Sequence, residues 1–452
     1  MITMNLSRAA KSLGATFQGG DVEFRGCSTD TRTLARDELF IAIKGIHFDG
    51  HNFLQSASEG GAAAAMVEKN CRQELPLLIV DDTKRAMGRL AGFWRSEFEI
   101  PLIAITGSNG KTTVKEMLVS ILGQIAPVLA TRGNLNNDIG VPLTLFGLGQ
   151  EHAYAVIEMG ANHPGEIAWL SNLARPTIAV ITQCAPAHLE GFESIDGVAN
   201  AKAEIYDGLD NQGCAIINAD DNYAAFWQSR TNNIRQLRFG IKNPADISAQ
   251  SVQQSIAKGQ SDFILKTPGG TIKISLPLPG LHNVMNALAA ATCAEALDID
   301  LGVIKKGLEK IRPVKGRLEI KTGLHDSRII DDTYNANPAS LKAALDVLNH
   351  FNGQHWLVLG DMGELGIAEE ELHCQAGIAA KRSGVNKLFA TGPLSRHAVD
   401  KFGSGGEYFS SIDDLINHLQ LLISHDVTVL VKGSRSMHME QVVDQLVSAS
   451  KC

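Results

Sequence analysis

The stretch ITGSNGKTT, residues 105 to 113, decides how the middle of this chain folds. Its glycines, lysine and paired threonines are those of a phosphate-cradling loop, whose usual spacing is G-x-x-x-x-G-K-[ST]. Here the first matching glycine, Gly107, stands only three positions before Gly110, and Ile105 occupies the place of the longer motif's glycine. The surroundings are those of a P-loop even so. The apolar run IPLIAITG (100 to 107) has strand length, and TTVKEMLVSILGQI after the turn has helical character. At the start of such a helix the backbone N–H groups of Gly107, Ser108, Asn109, Gly110, Lys111, Thr112 and Thr113 converge, and their dipoles favour a polyphosphate. Lys111 is placed to bridge β and γ phosphates, and Thr112 to offer its hydroxyl to Mg²⁺.

Outward from this loop, strand-like runs alternate with helix-like ones, the pattern of an α/β fold with largely parallel sheets. Downstream come YAVIEMG (154 to 160), TIAVITQ (177 to 183) and CAIINAD (214 to 220), each feeding polar residues and then a helical stretch. FILKTPGGTIKISLPL (263 to 278) alternates apolar and polar residues about Pro-Gly-Gly and predicts an antiparallel hairpin. LHNVMNALAAATCAEAL reads as a helix, and the residues around Arg312, Pro313 and Gly316 as a linker. Upstream, LFIAIKG (39 to 45) and LPLLIVDD (75 to 82) form a small unit with a helical stretch at 84 to 98. Past the linker, RIIDDTYNANP, HWLVLGD, KLFATG and VTVLVKG give a Rossmann-like layout without a G-x-G-x-x-G fingerprint. The expected architecture is α/β in three domains: a small N-terminal domain (1 to 84), a central P-loop ATPase-type parallel sheet (85 to 313) and a C-terminal Rossmann-like domain (314 to 452).

Bulk properties agree with that division, since 452 residues exceed what one core usually organises. Apolar residues at 44% and charged ones at 20% suit a globular enzyme. A formal net charge of -8 argues against a nucleic-acid backbone as the main partner. The seven cysteines are scattered, with no C-x-x-C spacing, so neither a disulfide framework nor a zinc site is expected. No signal-peptide pattern opens the chain, and no apolar run approaches the ~20 residues of a spanning helix. A cytoplasmic monomer acting on small molecules is the expectation.

Magnesium takes few protein oxygens, so acids at strand ends near the loop are its candidates. Glu158, in VIEMGAN, ends a strand. His188, in APAHLEGF, also follows one and could ligate a metal or orient a phosphate. Lys202, in NAKAEIYDGL, reads on its own as an exposed helix lysine. DDTYNANP (331 to 338), GDMGELG and VKGSRS place polar loops after strands of the third block, as on a binding face, and an Asp there would suit a ribose.

With these segments in order, the chain resembles the Mur ligases along essentially its full length. The likeness rests on TGSNGKTT, GNLNNDIGVP, VIEMGANHPGEI, AHLEGF, AKAEI, LPGLHNVMNALAA, DDTYNANP, GDMGELG and VKGSRS. That family uses a shortened P-loop of this form, and the resemblance implies an ATP-dependent amide ligase working through an acyl phosphate. It implies Lys111 on the β and γ phosphates, Thr112 and Glu158 on a Mg²⁺, and His188 on a second one. It further implies that Lys202 is carbamylated by CO₂ to N-carboxylysine and supports that second metal, overturning the reading of an exposed lysine. Asn283 and Asn286 are implied at the adenine, Arg317 at the γ phosphate and Asp332 at the ribose. The first domain is implied to hold a uridine nucleotide, with Ser28, Thr29, Arg32 and Lys44 as candidates. Asn134, Asn136, Asn137 and Asp138 are expected along the substrate channel, with Asn335 and Asn337 also at substrate. The Asp-Asn-Pro-Arg signature of the diaminopimelate- and lysine-adding relatives is missing, which favours the type that adds D-alanyl-D-alanine to a UDP-N-acetylmuramoyl-tripeptide. A folylpolyglutamate synthase would lack residues 1 to 84 as a separate domain. A P-loop switch GTPase would need Asn-Lys-x-Asp, whereas Asn386-Lys387 continues Leu-Phe.

Overall fold

A nine-stranded sheet dominates the computed structural model, which describes residues 1–46, 48–69, 74–186, 189–255 and 259–447. Its strand order is Gly270–Leu276, Gln260–Thr267, Ile247–Ser255, Arg235–Gly240, Cys214–Asn218, Ile178–Ile181, Leu102–Thr106, Tyr154–Glu158, Val128–Ala130. The last seven in that order run parallel, and the first two join them antiparallel. Parallel strands covered on both faces carry apolar side chains on both, and all five residues of Leu102–Thr106 are buried. The expected hairpin is present, with Thr267 paired to Gly270 across Pro268-Gly269.

Register decides where the chemistry goes. Leu102–Thr106 lies between Tyr154–Glu158 and Ile178–Ile181, with Glu158 opposite Ile105 and Ile181 opposite Thr106. Three neighbouring strands therefore end in one row and deliver the 107–110 turn, Glu158 and Thr182–Cys184 to the same edge, where ligands of parallel sheets bind. The helix Lys111–Leu122 starts from that turn and packs with Leu281–Glu295 over one face of the sheet.

The N-terminal part carries a five-stranded sheet in the order Thr16–Gln18, Leu77–Ile79, Ala64–Val67, Leu39–Ile41, Cys27–Ser28, parallel except at the Thr16–Gln18 edge. Thr3–Asn5 and Glu23–Arg25 make a separate antiparallel pair. One apolar cluster runs from Ile2, Phe24 and Leu78 through Met87 and Leu90 to Leu102, Ile157 and Ile181, so this part and the central sheet share a core. The helix Thr83–Arg95, N-capped by Asp82, sits between them. At its end the buried Arg95 guanidinium donates to the carbonyls of Ala174 (2.9 Å) and Ile100 (3.1 Å), which satisfies a cation that burial would otherwise make costly.

The C-terminal sheet has the order Glu319–Thr322, Arg328–Asp332, Val427–Lys432, Gln354–Leu359, Lys387–Thr391, Gly406–Phe409, parallel after the first antiparallel pair. Its core clusters contain no residue of the other two sheets. Residues 311–318, which lead into it, form neither helix nor strand, as the linker reading expects.

Candidate active site

The 107–110 turn exists in this form because two of its residues are glycine. Gly107 has φ +149°, and a Cβ there would stand 1.8 Å from Thr182 Oγ1. Gly110, at φ +84°, would meet Asn286 Oδ1 at 2.3 Å. Side-chain bonds hold the remainder: Ser108 Oγ donates to the Ala185 carbonyl (2.8 Å) and Thr182 Oγ1 to the Asn109 carbonyl (2.5 Å). Lys111 Nζ donates to the carbonyl of Gly107 (2.8 Å), closing the loop on itself, and burial draws its pKa down.

Glu158 reaches the same place from the neighbouring strand. Its backbone N–H donates to Thr131 Oγ1, and its carboxylate accepts from Thr112 Oγ1 (2.9 Å) and from Asn136 Nδ2 (2.8 Å). From the segment that leads into the C-terminal sheet, Arg317 Nη2 donates to Thr112 Oγ1 (3.0 Å), while the guanidinium lies 4.2 Å over the Tyr334 ring. Lys432 Nζ meets Asp332 Oδ2 at 2.5 Å because the two end adjacent parallel strands in direct register. The backbone N–H of Leu318 donates to Asp332 Oδ1 (3.2 Å).

All of this surrounds one cavity of about 1060 Å³ between the central and C-terminal sheets. Its wall contains Ser108, Asn109, Gly110, Lys111, Thr113, Asn134, Asn136, Asn137, Asp138, Glu158, Asn283, Asn286, Arg317, Asp332, Asn335 and Asn337, sixteen of the sequence-derived candidates. Gly107 and Thr112 lie directly behind that wall through the contacts above. Asp138 is ion-paired to Lys84, another wall residue at the start of the helix shared with the N-terminal part. The Asn283 amide is spent on the Pro279 carbonyl (2.7 Å), and its Oδ1 accepts from Asn286 (3.3 Å).

Lys202 departs from its first reading as an exposed side chain, being only 5% exposed. Burial and the like charge of Lys111 bring its pKa down to about 7, with Cys184 acting the other way. His188 lies outside the described residues. Among the described residues no group of three or more His, Cys, Asp or Glu side chains converges as a metal cage would. The four N-terminal candidates stand apart from the cavity wall. Ser28 Oγ bonds within the Asp30 turn, the exposed Arg32 pairs with Asp30, and the backbone of Lys44 forms an isolated antiparallel β-bridge with that of Asp49.

Three of the wall residues that had no individual role in the sequence reading bear on the charges of the site. Tyr334 stacks on Arg317, Lys432 pairs with Asp332, and His282 is held near pKa 4 by burial and the Lys432 charge. Of these only Lys432 carried a signal: a lysine closing the otherwise apolar strand VTVLVK needs a counter-charge if the strand is buried.

Family profiles cover most of the chain. Mur ligase middle domain matches residues 105–294, Mur ligase, glutamate ligase domain matches 316–435, and Mur ligase family, catalytic domain matches 23–92. The UDP-N-acetylmuramoyl-tripeptide--D-alanyl-D-alanine ligase of Escherichia coli is 44% identical over 454 residues, all of both chains. This chain belongs to the Mur ligase family. A crystal structure of MurF from Acinetobacter baumannii superposes with a TM-score of 0.93 at 37% identity, covering 99% of each chain. A MurF ligase from Thermotoga maritima in complex with ADP shares the fold, with a TM-score of 0.83 at 24% identity over 93% of this chain and 96% of that one. The three-sheet layout is thus the Mur ligase layout. No helix among the described residues is long and apolar enough to cross a membrane.

Proposed function

We propose that this Mur ligase is an ATP-dependent amide ligase that joins D-alanyl-D-alanine to a UDP-N-acetylmuramoyl-tripeptide in the cytoplasm, yielding the pentapeptide precursor of peptidoglycan. The observation that carries the reading is the full-length likeness to the E. coli ligase of that name, joined to the meeting of Lys111, Thr112, Glu158 and Arg317 at one cavity. The tripeptide's free carboxylate attacks the γ phosphorus, the bond to ADP breaks, and an acyl phosphate results. The dipeptide amine then attacks the acyl carbon, phosphate leaves with the C–O bond, and the amine proton passes to solvent. The difficulty is electrostatic, because a carboxylate must approach a triphosphate.

Each residue answers part of that difficulty. Lys111 sets its ammonium where the β and γ phosphates lie against the loop, and Arg317, held flat by Tyr334, brings a second cation from the C-terminal domain. The Thr112 hydroxyl and the buried Glu158 carboxylate, 2.9 Å apart, are a two-oxygen donor set of the kind Mg²⁺ takes when phosphate and water complete its shell. Mg²⁺ supplies neutralisation of the phosphate charge and alignment of its oxygens. Lys202 is the candidate carboxylysine, since CO₂ adds only to a neutral amine and burial favours that form. With His188 it would serve a second ion. Asn283 and Asn286 are assigned to the adenine, Asp332 to the ribose, and Asn134, Asn136, Asn137, Asp138, Asn335 and Asn337 to the substrate side. Ser28, Thr29, Arg32 and Lys44 are assigned to the uridine nucleotide. The working unit is a monomer with module boundaries near 84/85 and 313/314.

Phosphate release measured with ATP, Mg²⁺, UDP-muramoyl-tripeptide and D-Ala-D-Ala, each omitted in turn, tests the assignment. Release should need all four, and release indifferent to D-Ala-D-Ala would contradict it.

A further inference from the structure

The seam between the central and C-terminal modules is crossed at the phosphate loop by a contact of unusual specificity. Asn337, only 8% exposed, immediately precedes the helix Pro338–Leu348 and caps it: its Oδ1 accepts from the Ser340 N–H (2.8 Å), and its own N–H donates to Ser340 Oγ (3.0 Å). With Oδ1 committed to the helix, the orientation of the amide is fixed and its NH₂ group must point away. It points at the P-loop, where Nδ2 donates to Asn109 Oδ1 (2.8 Å), and Asn109 Nδ2 returns a longer bond of 3.4 Å to Asn337 Oδ1. Ser, Thr or Asp would cap the helix as well, but among the cap-forming side chains only asparagine caps through its oxygen and carries a separate NH₂ donor beside it.

We propose that Asn337, acting through Asn109, is a positioning residue that latches the C-terminal module onto the phosphate loop, so that Arg317 is presented and water is shut out while the activated carboxyl group waits for its amine. This rests on the ligase reading above and adds to it a residue whose work is closure. Asn109 lies in the turn and Thr112 in the first turn of the helix that follows, and they are reached by Asn337 and Arg317 respectively, so closure brings both contacts to one loop. The loss of a partly buried neutral hydrogen bond typically shifts such an equilibrium by roughly 3–10-fold.

The separating variant is Asn337→Ser, which keeps the cap and removes the amide NH₂ group that reaches Asn109, the hydroxyl sitting nearer the backbone. Asn109→Ala breaks the same contact from the other side without touching the helix. In the full-length enzyme with all substrates, each variant should lower kcat roughly 3–10-fold. Each should also raise the ratio of phosphate released to peptide bond formed above one, because an unlatched site lets water take the acyl phosphate. The double variant should be no worse than the poorer single one. Wild-type kcat and coupling in Asn337→Ser, or losses that multiply in the double variant, would overturn the latch. Small-angle scattering with a non-hydrolysable ATP analogue needs no turnover, so it separates this inference from the ligase assignment. Both variants should remain more extended than wild type, and identical profiles would also refute the proposal.

Discussion

Lys111 already binds a carbonyl of its own loop, so its ammonium is held in place before any phosphate arrives. Such a preorganised cation is worth most in the transition state, and Lys111→Ala should reduce phosphate release by ~100-fold or more with an unchanged far-UV circular dichroism spectrum. Asn136 works one step back, steering the carboxylate of Glu158 rather than touching a phosphate. Removing an outer partner of a metal ligand commonly costs ~10-fold in metal affinity. Asn136→Ala should therefore need about that much more Mg²⁺ for half-maximal activity, while keeping most of its rate at saturating Mg²⁺. Lys202 sets a pH dependence whose sign follows from burial. The amine is neutral above about 7 and gains a proton as the pH falls through that value, and the protonated form cannot bind CO₂. With ¹³C-bicarbonate, a protein-bound carbamate resonance should appear on the alkaline side of that value, fade below it, and be missing from Lys202→Arg.

Among the elements of the site, the phosphate turn tolerates little change at its glycines. Gly110→Ala adds a Cβ 2.3 Å from Asn286 Oδ1 at a backbone angle side chains rarely adopt. Nucleotide affinity, read by titration with a fluorescent ATP analogue, should drop by more than tenfold, as expected when both sterics and backbone strain must be relieved. The turn was legible because glycine, lysine and threonine there have few other uses together after an apolar strand. The central strands were legible because burial on both faces gives unbroken apolar runs. Arg235–Gly240 and Ile247–Ser255 were not, since RQLRFG and ISAQSVQQS are half-exposed and mostly polar, and only their place in the sheet makes them strands. Glu158 could be read as a strand-end acid, whereas its tie to Asn136 depends on a loop returning from a separate part of the chain. The stacking of Tyr334 on Arg317 needed coordinates for the same reason: DDTYNANP reads equally well as a turn and helix cap, which it also is.

For the whole molecule the informative fact is the division of its cores. The N-terminal sheet and the central sheet share one apolar cluster, and the C-terminal sheet has its own. Residues 311–318 carry no regular hydrogen-bonded structure to resist bending, so they are where the chain should pivot. Adding an ATP analogue together with the UDP-tripeptide should shrink the radius of gyration measured by small-angle scattering. An unchanged value under saturating ligand would argue that the arrangement is fixed.

A fused pair of modules facing a single hinged one leaves the enzyme with essentially one large-scale freedom. On the assignment proposed above, the uridine end of a long substrate and the phosphate loop then keep a constant spacing, like two marks on one ruler, and only the far jaw travels. Whatever lodges between ruler and jaw would stall nucleotide use and peptide joining by the same obstruction. A compound seated against the Asn109–Asn337 seam would not need to resemble any of the three substrates.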